Sequence, residues 1–294
     1  MKTEMDTLIN FKPEHDFFIG IDSDGCVFDS MEPKQKECFC PVTIEKWDLA
    51  AISKYAREAW EFVNLYSQDR GCNRFFALQK AFDLLRDRKA VKQRSVQIPQ
   101  LDALKQWTKR ETKLGNPALK AEIERTNNEE LKRIYDWSLA INDAIYRLVR
   151  GVKPFPLVKE SLDKIHQSVD IIVVSGTPIE ALIREWEENK IDKYVSLIAG
   201  QELGSKKEHL QFAAKGKYKP GHALMIGDAP GDLKAARAND LLFYPVIPGK
   251  EEESWEIFYN EIIDLFLTGK YTKNIEADFI AEFNSFLPEK PKWI

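Results

Sequence analysis

Asp22 and Asp24, one residue apart, stand at the end of the apolar run Phe17-Phe18-Ile19-Gly20-Ile21. A buried strand that stops there delivers both side chains to one loop, because residues two apart in extended chain share a face. Further polar groups end apolar runs in the same way. Ser175-Gly176-Thr177 follows Ile171-Ile172-Val173-Val174, and Gly227-Asp228 with Asp232 follows Ala223-Leu224-Met225-Ile226; Lys206 opens a helical stretch between them. Such a set suits phosphoryl transfer, which needs a nucleophile, a proton carrier, a divalent cation and positive charge for the equatorial oxygens. Asp22, first out of its strand, suits the nucleophile, since an acyl-phosphate splits one hard step into two easier ones. Asp24 suits the proton carrier. Asp228 and Asp232, with Asp22 and a backbone carbonyl, offer the hard oxygens that Mg²⁺ prefers. Ser175 and the amides around Gly176 suit phosphate oxygens where Thr177-Pro178 opens a helix. Lys206 would offset nucleophile and phosphate charge; Lys207 is adjacent, and the spacing alone does not choose between them. Singly, each piece reads as a turn, a helix cap or a dipole-favoured acid. Falling together at strand ends in a workable order, they read as one site.

The elements that must position these residues are legible as alternation. After Gly151-Val152-Lys153-Pro154, helix 157–167 leads to strand 169–174, helix 178–189 to strand 194–199, helix 206–215 to strand 223–227, and helix 230–238 to strand 241–246. Apolar strands separated by amphipathic helices predict an α/β fold, a doubly wound parallel (Rossmann-like) sheet whose ligands gather at the strands' carboxyl ends. Strand 16–22 belongs to that sheet, so the core is 1–32 with 151–294, and residues 251–294 form a helical extension with the stripe Trp255, Phe258, Ile262, Leu265 and Phe266. The insert 33–150 reads as all-helical: one helix from Ile44 to Ser67, one from Arg74 to Arg88, and one capped by Asn128 that runs to Val149. Stretch 86–97 reads as a connection, and the stripe Trp47, Tyr55, Phe62 and Tyr66 as the insert's core. The loop Asp69–Arg74 is the best candidate in the insert for substrate contact through Arg70, Asn73 and Arg74, with Lys54 and Arg57 beside it; a plain turn capped by Asn73 is the competing reading.

Bulk properties exclude several classes. The chain has 294 residues, 44% hydrophobic and 31% charged, with a net charge of −4. That is the composition of a soluble globular protein without the electrostatic footprint of a nucleic-acid or membrane-surface binder. No apolar run approaches a membrane span, and the first six residues lack a signal-peptide core. Cys26, Cys38, Cys40 and Cys72 complete no zinc pattern, and reduced thiols in the cytoplasm are the expectation. His15, His166, His209 and His222 show no metal spacing, and His209 reads as exposed.

The four pieces, in this order, resemble the haloacid dehalogenase-like hydrolase superfamily. Asp22-Ser23-Asp24-Gly25-Cys26-Val27 is similar to its first motif, with Cys26 where threonine is commoner. Ser175-Gly176-Thr177 is similar to the second, Lys206 to the third, and Gly227–Asp232 to the fourth, Gly-Asp-x-x-x-Asp. The likeness covers 17–32 and 152–246. It implies Asp22 as nucleophile, Asp24 as general acid/base, and Mg²⁺ held by Asp22, the Asp24 carbonyl and Asp228, with Asp232 at the metal or just behind it. Ser175 and Lys206 would bind the phosphoryl group. The dehalogenase and phosphonatase branches lack the second aspartate of the first motif, so Asp24 argues against both. The insert lies where the family carries a mobile cap, and it is longer than the common four-helix version. The implied activity is a Mg²⁺-dependent phosphatase acting on a small phosphomonoester, with a sugar-phosphate phosphomutase, or a non-catalytic binding protein on the same fold, as alternatives. Oligomeric state is not legible.

Overall fold

Five short, almost wholly buried strands form one parallel sheet: β1 (Phe17–Ile21), β2 (Val169–Val174), β3 (Leu197–Ala199), β4 (Ala223–Gly227) and β5 (Leu242–Pro245). The computed structural model describes residues 5–294. Strand order is β3-β2-β1-β4-β5, and every pairing is parallel. The first strand in sequence therefore lies at the centre. The order reverses between β1 and β4, and a doubly wound sheet opens its ligand crevice at such a reversal.

The alternation of side chains feeds two separate cores. Ile19, Ile21, Ile171, Val173, Leu224 and Ile226 pack on one face, while Phe18, Ile172, Val174 and Met225 pack on the other. Both faces are covered, as the near-continuous apolar runs require. Gly20 lets the second face close tightly: a Cβ there would come 2.7 Å from Leu210 Cδ2 and 3.2 Å from Met225 Sδ.

Four helices link the strands: α1 (Val158–Ile165), α2 (Ile179–Glu188), α3 (Lys206–Ala213) and α4 (Pro230–Ala238). Strand β3 is shorter than expected because Asp192–Tyr194 tightens into a 3-10 turn, leaving Ser196 N to open the pairing at 2.8 Å from Ile171 O. Beyond β5, Trp255, Phe258, Ile262 and Phe266 are buried against the first face of the sheet.

The chain divides into two compact units, Met1–Met31 with Gly151–Leu287, and Glu32–Arg150 with Pro288–Ile294. The second is all-helical among its described residues. Trp47, Trp60, Phe75, Phe82, Trp107 and Trp137 form its aromatic core, in which Trp137 meets Trp47 and Trp60 edge-on at 5.8 and 6.2 Å. Trp47 and Phe62 of the expected stripe are buried, but Tyr66 is 40% exposed and bonds Glu32 through its hydroxyl. Arg74–Asp87 and Glu129–Leu148 form where expected, the latter capped by Asn128. The single helix expected over 44–67 is instead Cys40–Lys46 and Ser53–Leu65, separated where Asp48 takes a left-handed φ of 54°. Helices Asp102–Arg110 and Asn116–Thr126 and a π-helix over Lys34–Phe39 add to the unit. The last seven residues group here, not with the sheet as expected, because Trp293 packs on Phe62 and beneath the Arg88 guanidinium.

Candidate active site

At the end of β1 the chain folds back on itself at once. Asp22 N donates to Ile226 O on the neighbouring strand, and Asp22 Oδ1 accepts from Ser23 N at 2.8 Å. Val27 N and Phe28 N both donate to Ser23 O, and Gly25 N donates to Phe28 O. Gly25 turns the corner at φ 75°, a conformation that a side chain would strain. Asp24 is thereby turned toward the second loop: one of its oxygens accepts from the Thr177 hydroxyl at 2.8 Å and the other from Ser30.

On the neighbouring strand, β4 ends in Gly227-Asp228 and α4 begins with Pro230 at its first turn. Asp232 reaches back so that its Oδ2 accepts from Ala229 N at 3.1 Å. Gly227 makes this possible, since a Cβ there would lie 2.5 Å from the Asp232 carboxylate carbon. The glycine and the second aspartate of Gly-Asp-x-x-x-Asp are thus one steric unit. Asp22, Asp228 and Asp232 are all buried, and each offers an oxygen within 4.8 Å of the others.

Lys206 enters from α3. Ser205 caps that helix through a reciprocal box with Glu208, which fixes the first turn and the lysine on it. Its Nζ lies 2.7 Å from Asp22 Oδ2 and 2.6 Å from Asp232 Oδ1, while Lys207 is exposed. Geometry therefore selects Lys206 over its neighbour. Burial raises the Asp22 carboxyl to about 6, Lys206 pulls it partly back, and Asp228 pushes it up again. Burial likewise raises Asp232. Burial works against the Lys206 ammonium, but the Asp22 and Asp232 carboxylates outweigh it and hold that proton firmly. Three carboxylates and one ammonium leave two formal negative charges in a buried space, which a divalent cation would balance.

Ser175, 2% exposed, continues the β2 ladder through its N–H to Ala199 O, and its hydroxyl accepts from Thr177 N. Gly176 is exposed with nothing within 4 Å of where its Cβ would be. The loop is braced from β3: Gly200 has Thr177 O and Ile179 N each 2.8 Å from its missing Cβ, and Glu202 accepts from Ile179 N.

The sequence profile of the haloacid dehalogenase-like hydrolases matches residues 90–245, more than half of the chain. The chain belongs to that family. Asp22 and Asp24 precede the matched interval, and their place in the site rests on the geometry above. Among solved structures, the hydrolase is similar to a predicted phosphoglycolate phosphatase from Haemophilus somnus, with TM-score 0.47, 15% identity, and coverage of 79% of this chain and 86% of that one. It is similar also to a predicted phosphatase from Clostridium acetobutylicum, with TM-score 0.42, 15% identity, and coverage of 87% and 98%. A haloacid dehalogenase-like family protein from Streptococcus pneumoniae gives TM-score 0.41, 12% identity, and coverage of 86% and 97%. None of these likenesses says which reaction the chain performs. No curated protein matches its sequence.

Other candidates in this hydrolase fall elsewhere. Cys26 is buried, and burial with the acidic cluster drives its thiol well above the ordinary range, so it stays protonated. His209, read as exposed, is fully buried: it lies beside Leu210, which packs on Gly20, and burial with the nearby Lys206 holds it neutral, at about 4. In the helical unit the expected contact residues make hydrogen bonds within the unit. Asn73 caps Arg74–Asp87 and donates to Leu114 O. Arg74 donates to Ser138 and Asn142 and lies over Phe39, and Arg70 donates to Leu65 O. Among neighbouring residues, Lys54 is exposed and Arg57 donates weakly to Lys36 O at 3.4 Å. Sequence reasoning missed Thr177 and Ser30 as partners of Asp24. The signal available was a hydroxyl in the second motif; Ser30 left none. Among the described residues no helix is long and apolar enough to cross a membrane.

Proposed function

We propose that this hydrolase is a Mg²⁺-dependent phosphatase acting on a small phosphomonoester. The observation that carries the reading is the buried trio Asp22, Asp228 and Asp232, with Lys206 bonded to two of its members. Asp22 would attack the phosphorus, the ester oxygen would leave with a proton from Asp24, and water, giving its proton back to Asp24, would then release phosphate from the aspartyl-phosphate. Ser175, the Gly176 amide and Lys206 would hold the non-bridging oxygens.

Asp22, Asp228, Asp232 and the Asp24 carbonyl would hold Mg²⁺. The cation would offset the negative charge that separates a carboxylate nucleophile from an anionic ester. Hard carboxylate oxygens in a trio this close fit such an ion. The helical insert follows the acidic loop in the chain and would act as the cap that selects the leaving alcohol. All four cysteines are free, which fits a reducing cytoplasm.

The test is hydrolysis of p-nitrophenyl phosphate and a panel of phosphorylated metabolites with and without Mg²⁺. Turnover should require the cation and vanish in Asp22→Asn. Undiminished turnover in that variant would refute the reading.

A further inference from the structure

Two buried indoles end on the acidic loop. Trp186, on α2 and fully buried, donates from Nε1 to Ser23 Oγ at 3.1 Å. Trp255, on the helix Glu251–Ile257 and 1% exposed, donates from Nε1 to Cys26 O at 2.8 Å. Ser23 separates Asp22 from Asp24, and Cys26 lies two residues beyond Asp24, so one bond falls between the two carboxylates and the other just after them. An indole has a single donor, and a buried donor must be satisfied. Both rings are fixed by edge-on aromatic neighbours, Trp186 by Phe28 at 5.9 Å and Trp255 by Phe258 at 5.4 Å. Their N–H groups are therefore anchored points against which the loop is registered. Trp255 also lies beyond the interval that matches the family profile, in the helical extension after β5.

We propose that Trp186 and Trp255 are positioning residues that hold the loop carrying Asp22 and Asp24 in its reactive register. The inference rests on the phosphatase reading of those aspartates. It assigns a role in turnover to the C-terminal extension. Ser175 and Gly176 lie on the loop after β2, so a loosened acidic loop would misplace the attacking and proton-carrying groups while leaving those phosphoryl contacts in place. The loss would then fall on kcat and spare KM.

The test replaces only the N–H. Trp255→benzothienylalanine keeps the ring's shape and lacks the donor, whereas 5-fluorotryptophan at the same position keeps it. With p-nitrophenyl phosphate and saturating Mg²⁺, benzothienylalanine should lower kcat about tenfold or more with KM within about twofold, as small misplacements of reacting groups do. The fluorinated analogue should retain kcat. Trp186→Phe should show the same split. Wild-type kcat in the benzothienylalanine protein, alongside an active wild type, would overturn the positioning role and leave the proposed function standing. Absence of hydrolysis in the wild type would overturn both.

Discussion

At the residue scale, the decisive facts are carboxylates held away from the water that would ordinarily stabilise them. Asp22 titrates at about 6 against an ordinary 3.8, chiefly because it is buried. Its folded form thus prefers the proton. The ionised carboxylate costs stability above that range, and the cost is relieved as pH falls through about 6 toward 4. A bound divalent cation removes the same cost without a proton. Added Mg²⁺ should therefore raise the melting temperature more at pH 7.5 than at pH 5, as differential scanning calorimetry would measure; equal shifts would remove Asp22 from the metal site. Lys206→Met should destabilise the fold by about 3–5 kcal/mol, because it strands buried charges that the lysine now compensates. Urea denaturation measures this, and a loss under 1 kcal/mol would contradict the double ion pair.

Elements matter because they bring carboxylates distant in sequence to one edge. β1 and β4 pair in register, Ile21 beside Ile226, so Asp22 and Asp228 emerge from adjacent strand ends. Apolar continuity made these strands legible from sequence, and the Gly-Asp-x-x-x-Asp spacing made Asp232 legible because a helix turn returns it to the strand. Gly227→Ala should displace Asp232, since no flexible neighbour can absorb a 2.5 Å approach to its carboxylate. Mg²⁺ affinity should fall at least about tenfold in that variant by calorimetry, given the geometry that Mg²⁺ demands. In the helical unit, sequence order could not separate a binding loop from a helix cap, because both use arginine and asparagine. The structure spends Asn73 on the cap. Asn73→Ala should cost about 1 kcal/mol in denaturant titration with kcat/KM within twofold, and a tenfold loss of kcat/KM would restore Asn73 as a substrate contact.

On the scale of the whole molecule, the sheet unit is built from sequence-distant pieces while the helical unit is nearly continuous, and this decided what could be read in advance. Periodicity exposed the long helices but not the π-helix at Lys34–Phe39, whose wider turn breaks the 3.6-residue rhythm. Nor did it show that the final residues join the helical unit, a tertiary contact of Trp293 with Phe62 and Arg88. The burial of His209 is illegible for a related reason: a polar residue on a short helix gives no sign that its side chain is enclosed. The site itself was legible because each of its members follows the end of a strand or lies in the first turn of a helix.

The most direct measurement is Mg²⁺ titration of metal-free protein by isothermal calorimetry at pH 7.5, for the wild type and for Asp228→Asn. One ion per chain should bind the wild type, and the variant should bind it at least about thirtyfold more weakly, since a principal hard ligand is gone. Unchanged Mg²⁺ binding in Asp228→Asn would contradict the shared acidic site on which the proposed chemistry depends.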